Sequence, residues 1–271
     1  MARSSSAVSL LTQQTLSSQD LQTILEHGKR LISLRVPLTH SDPSQIGQLV
    51  AGLPALVAFK AYQLLGGPVA TNETPFIASQ TALVVELSNS SIADDLAPPT
   101  AMLRNVSFPN LLRLDIQFVA ECDEPRDLHR FLNPQTMPQL CSLAIDLFIC
   151  DRFSSPRDVM KGGLFCQPIA ATGAHRWRLD ELKVEDPYCV LLPTDMAHLL
   201  SMIESVTYVF FVCQWRKLDE LYCAASSYAT VFANSPAVRA ACKLSTATPC
   251  TPERVSALRA ACPGFQPLVL D

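Results

Sequence analysis

Residues 108–118 read FPNLLRLDIQF, and residues 137–148 read MPQLCSLAIDLF. In each copy a proline stands two residues before a leucine. Apolar residues follow three and five positions later: Leu111, Leu114 and Ile116, then Leu140, Leu143 and Ile145. Apolar residues two apart share one face of a strand. Between the copies, EPRDLHRFLNP places Leu128, Phe131 and Leu132 at helical spacing. The unit this predicts is a short strand, a turn and a return helix.

The same frame recurs at Leu31/Leu34/Val36, Leu56/Phe59/Ala61, Ala82/Val85/Leu87, Leu179/Leu182/Val184 and Val206/Val209/Phe211. Successive frames start 25, 26, 29, 29, 39 and 27 residues apart. Near-constant spacing of this size is that of leucine-rich repeats, and it predicts an α/β solenoid with a curved parallel sheet and return helices. A further frame, Phe265/Leu268/Leu270, starts 59 residues after Val206, about two units on. Helical patterns fall at Asp20–Leu25, Ser44–Val50 and Thr194–Leu200, the last with Ile203 on the same face. Gly52-Leu53-Pro54-Ala55-Leu56 repeats the proline phrase, and a proline there is expected to end the helix and hold the chain extended. The interval Ile149–Arg178, with Gly162-Gly163 and Ser154-Ser155-Pro156, reads as a looped-out insertion.

After Phe211 the pattern becomes helical: Arg216–Phe232, Pro236–Leu244, and a third helix opened by Thr251-Pro252-Glu253. The expected organisation is a flexible segment over 1–18, an irregular repeat region over 19–213 and a mainly helical C-terminal cap over 214–271.

Composition narrows the function classes. The chain has 271 residues, 48% of them hydrophobic, and a net charge of −4, enough apolar material for a large core. Lysines and arginines are scattered, so nucleic acid and anionic membranes are not expected partners. The N-terminal apolar run is too short for a secretory signal and no run spans a bilayer, which predicts a cytoplasmic or nuclear protein. The ten cysteines show no C-x-x-C spacing and are read as core residues, with no metal or cofactor expected.

These phrases and their spacing resemble the leucine-rich-repeat portion of F-box proteins, especially divergent fungal ones, over about Leu21 to Val212. The resemblance implies a solenoid whose concave sheet recognises a protein, in a subunit that docks on the adaptor of a cullin ubiquitin ligase. The expected partners are therefore that adaptor and a substrate protein, with the chain a monomer within the complex. The sequence departs from the family in two places. Positions where the regular repeat carries Asn or Cys hold Thr39, Leu64, Ser90, Val119, Phe148, Pro187 and Gln214. No Leu-Pro-x-Glu F-box opening precedes the first repeat; Leu192–Leu218 echoes that consensus, and reads equally as a repeat helix plus strand.

If the frame residues face the core, those between them line the opposite face. The protein-binding row this predicts is Arg35, Lys60, Glu86, Arg113, Asp115, Asp146, Glu181, Lys183, Glu185, Tyr208 and Phe210. It runs from basic through mostly acidic to aromatic. No catalytic residue is assigned. The alternative reading, an enzyme or a GTPase-activator-like regulator on an α/β fold, would draw on Cys166 with His175, on the acidic residues, or on Arg113.

Overall fold

In the computed structural model each proline phrase folds into the same turn. Leu56 N donates to Leu53 O (3.0 Å), Leu111 N to Phe108 O (3.2 Å) and Leu140 N to Met137 O (3.3 Å). Proline takes the second position of each turn, where its fixed φ is already suited. Pro54 follows a helix end, as expected, but its role is to form the turn that delivers the next leucine to the core. Gly28–Leu31 makes an equivalent turn without proline, Leu31 N donating to Gly28 O at 2.8 Å.

The structure describes residues 8–11, 17–37, 43–62, 76–89, 106–120, 132–149, 175–186, 193–213, 231–232, 234–239, 243–246, 252–261 and 265–267. Within them the order is β1 (Val8–Leu11), α1 (Ser18–His27), β2 (Leu31–Pro37), α2 (Pro43–Gly52), β3 (Ala58–Tyr62), β4 (Phe76–Ile77), β5 (Ala82–Asn89), β6 (Val106–Ser107), β7 (Arg113–Ala120), β8 (Ser142–Ile149), β9 (Trp177–Asp186), α3 (Pro193–Ser201), β10 (Ile203–Cys213), α4 (Pro236–Arg239), β11 (Lys243–Thr246), α5 (Pro252–Ala261) and β12 (Phe265–Pro267). Ten strands form one open α/β sheet in the order β1-β2-β3-β5-β7-β8-β9-β10-β11-β12, and β4 pairs separately with β6. Every pair in the large sheet is parallel. Strands thus neighbour each other in the order in which the chain makes them.

Core side chains stack in rungs across the strands. One rung joins Leu34, Phe59, Val85, Ile116, Ile145, Val184 and Phe211. A second joins Leu83, Leu114, Leu143, Leu182 and Val209. All are buried. Replacing Leu114 or Leu143, both fully buried, with alanine is expected to cost about 2–5 kcal/mol each. Urea denaturation reads this, and unchanged stability in both variants would put these side chains on the wrong face.

The register corrects the sequence frames in one respect. Leu34, Phe59 and Val85, the middle residues of the first three frames, share a rung with Ile116, the last residue of the fourth. A two-residue offset preserves the face of each side chain, because strand side chains alternate with period two. In the third unit the place of Leu111 therefore belongs to Gln80, which is buried. Its Nε2 donates to Val50 O and Leu53 O, both at 2.8 Å, adding a side-chain donor to two carbonyls at the end of α2 that each already accept one backbone N–H.

Helices form where local signals agree. Ser17 caps α1: Asp20 N donates to Ser17 Oγ (3.2 Å), while Ser17 N donates to Asp20 Oδ2 (2.9 Å). The Ser17 hydroxyl, which donates to Asp20 Oδ2 at 2.6 Å, and after it the Ser17 backbone N–H lower the Asp20 pKa. Gly52 lets α1 approach, since a Cβ there would lie 2.4 Å from Leu25 Cδ2.

The sheet runs past both ends of the expected repeat region. Val8–Leu11, expected to be flexible, pairs with β2. Lys243 and Leu244, the end of an expected helix, instead lie in β11, with Leu244 between Val209 and Phe265, while Pro236–Arg239 of the same stretch is helical. Ile203 opens β10 and does not belong to α3. Leu132 is buried but lies outside any helix, and the rest of its expected helix lies outside the described residues. So do Arg216–Thr230 and residues 150–174 of the expected insertion. Pro193–Cys213 of the F-box-like stretch forms α3 and β10, with β10 held between β9 and β11.

Candidate functional site

Parallel sheets are usually covered on both faces and read as continuous apolar runs. Here the strands alternate. RLDIQ and SLAID bury Leu114, Ile116, Leu143 and Ile145 and leave the residues between them part-exposed or exposed. The buried face carries the apolar cluster, to which α1, α2, α3 and Phe232, Ala237 and Val238 contribute. The polar face is the one on which the expected binding row falls.

Three rungs organise that face. Arg113, Ser142, Glu181 and Tyr208 are in register; next come Asp115, Ala144, Lys183 and Phe210; then Gln117, Asp146 and Glu185. Arg35 and Lys60 lie opposite each other on the rung that continues through Glu86 to Gln117. Glu86 is placed by backbone register alone. All the residues expected in the row therefore occupy one parity of the sheet, and those from β7 to β10 form a grid three rungs deep.

Pairing along a strand organises the charges, because residues two apart point the same way. Arg113 Nε donates to both carboxylate oxygens of Asp115 (3.3 Å each) and Nη2 donates to Oδ2 (3.0 Å). Asp115 raises the Arg113 pKa, first through this hydrogen bond and then through its charge. Lys183 Nζ pairs with Glu185 and lies 5.9 Å from the centre of the Phe210 ring, within cation–π range. The two cations are thus held by Asp115 and Glu185, while Asp146 and Glu181 remain in excess.

Asp146 is the unusual member. One of its carboxylate oxygens, Oδ1, is enclosed without a hydrogen-bond partner among the described residues. Burial first, and the neighbouring Glu185 charge second, push its pKa up to about 6, against the pull of Lys183. Its unfolded value is near 3.8, so the native state holds the proton longer. This group therefore subtracts stability as pH rises from about 4 through about 6. Asp146→Asn is expected to melt higher than the unsubstituted protein at pH 7.5, with the gap closing at pH 4. A gap independent of pH would contradict the assignment.

Sequence reasoning placed Asp146 on this face but missed its isolation, which depends on Glu185 being its cross-strand neighbour. Ser142 and Ala144, the small residues of CSLAID, share their rungs with the charged residues of β7 and β9. Of the alternative candidates, Arg113 is engaged by Asp115, His175 is exposed, and Cys166, Asp94 and Asp95 lie outside the described residues. Asp180 is exposed beside Glu181, so that carboxylate pair does not converge. Among the described residues no three metal-ligating side chains converge, and no helix is long and apolar enough to cross a membrane. No protein-family model matches the chain, and no curated protein is detectably similar to it in sequence.

Proposed function

We propose that this chain is a non-enzymatic protein-interaction scaffold, a leucine-rich-repeat type solenoid whose polar sheet face recognises a partner protein. One observation carries the reading: a ten-stranded parallel sheet in chain order with an apolar cluster on one face and a mixed polar and aromatic grid on the other. A solenoid stacks each unit on its predecessor, so its strands follow chain order. The recurring turns at Leu31, Leu56, Leu111 and Leu140 support the same reading. A wide face that mixes charge pairs with part-exposed aromatics offers anchors and steering charges together.

We further propose that the scaffold is the substrate-recognition part of an F-box-like ubiquitin-ligase subunit, on the strength of the phrases FPNLLRLDIQF and MPQLCSLAIDLF. Because β10 is held between β9 and β11, we assign no adaptor docking to β10 itself. Affinity capture from a cell lysate, scored for cullin-ligase subunits, tests this. Recovery of the adaptor together with a further protein released by changes on the polar face is the expected result. Captured proteins without the adaptor would remove the ligase assignment, and capture insensitive to every change on the face would remove the face itself.

A further inference from the structure

The grid has a relief as well as a charge. Ser142 and Ala144 on β8 are short side chains in register with Arg113 and Asp115 on one side and with Glu181 and Lys183 on the other. By side-chain length alone, Ser142 and Ala144 make a low strip along β8 between longer neighbours, a trough that leads to Asp146. Four carboxylates border this region (Asp115, Asp146, Glu181, Glu185) against two cations, and both cations are already paired. The aromatic edge formed by Tyr208 and Phe210 begins one strand beyond β9.

We propose that the trough over β8 seats an arginine or lysine side chain of an extended protein segment, and that a large apolar residue of the same segment rests on Tyr208 and Phe210. This rests on the polar face being the partner site. Three features fix the chemistry. The excess charge is negative, so the complementary group is a cation. The floor is short, so a long thin side chain fills it with its stem against Ala144 while its head reaches the carboxylates. The aromatic pair lies beside the trough and offers an apolar anchor. Asp146 and Phe210 are two strands and two residues apart, roughly 12 Å at about 4.8 Å per strand and 3.3 Å per residue. An extended segment covers that in about three or four residues, which sets the spacing between its basic and apolar positions.

The same site makes recognition sensitive to pH. A seated cation favours ionised Asp146, so binding expels the proton that Asp146 holds below about pH 6. Asp146 is flanked in register by uncharged Gln117 on β7 and by Glu185 on β9, and the charges that act on it are those of Glu185 and, with the opposite sign, Lys183. Acidification therefore weakens the complex first through Asp146.

An arrayed decapeptide library tests the proposal on the full chain, with one position fixed as Arg, Lys, Glu or Ala and a second as Leu or Ala at spacings of one to eight. Peptides with Arg or Lys three or four residues from Leu are expected to bind, and those with Glu are not. Binding of the selected peptides should fall about tenfold from pH 7 to pH 5, one pH unit below the point where half the sites are protonated. Asp146→Asn should bind them at least about tenfold more weakly at pH 7 and lose the pH dependence. Selection of neutral or acidic peptides, or no change in Asp146→Asn, would overturn the proposal. The face would survive that result if Tyr208→Ala with Phe210→Ala abolished whatever binding was found. No binding by any peptide overturns the proposal, and the face reading falls with it only if lysate capture is also insensitive to the aromatic pair.

Discussion

Trp177→Ala is expected to lower the unfolding free energy by about 3–5 kcal/mol. The indole is buried at the start of β9, where Trp177 pairs with Ile203 and its backbone N donates to Met202 O at 2.9 Å. Its ring Nε1 donates to Met137 O at 2.8 Å, the carbonyl that also closes the proline turn before β8. One side chain thus ties the strand after residues 150–174 to the turn that launches the strand before them. Alanine would remove both the apolar bulk and the donor, leaving Met137 O short of a bond. Trp177→Phe keeps most of the bulk and should lose only about 1 kcal/mol. Urea denaturation of both variants separates the contributions, and equal small losses would mean that the indole is not the brace described.

What the sequence makes legible follows from how far apart the interacting residues lie. Strand alternation is a local signal, so Arg113, Asp115, Lys183 and Glu185 can be assigned to one face from spacing alone, and the ion pairs at i, i+2 follow. Helix α1 is legible because Leu21, Ile24 and Leu25 fall at helical spacing within one short stretch. Register between strands is set by turns and by the contents of the intervening loops, which the apolar frames do not encode. That is why the frames align Val85 with Leu114 when it lies beside Ile116, and why they give buried Gln80 no place. Lys243 and Leu244 read as the end of a helix over Pro236–Leu244, yet Leu244 continues the rung of Val209. Val8–Leu11 is too short to announce itself and becomes a strand by pairing with β2. Asp146 is visible as a polar residue, but its raised pKa needs both its enclosure and Glu185 across the strand.

The second large effect concerns binding. Tyr208 and Phe210 lie on the polar face of β10, part-exposed, while Val209 and Phe211 between and beyond them are buried. Removing the two rings leaves the core rungs intact, so folding should be little changed. An aromatic anchor at the centre of an interface is worth about 2 kcal/mol or more, roughly 30-fold in affinity. The loss should appear in the dissociation rate, because apolar anchors act after encounter, whereas the charges around Asp115 and Glu185 act on association and its salt dependence. The direct measurement is the dissociation constant of the captured partner for the unsubstituted protein and for Tyr208→Ala with Phe210→Ala, taken beside the thermal midpoint of each. The predicted result is binding weaker by at least about 100-fold, through faster dissociation, with the midpoint nearly unchanged. Unchanged affinity, or a double variant that no longer folds, would contradict the assignment of this face as the site of recognition.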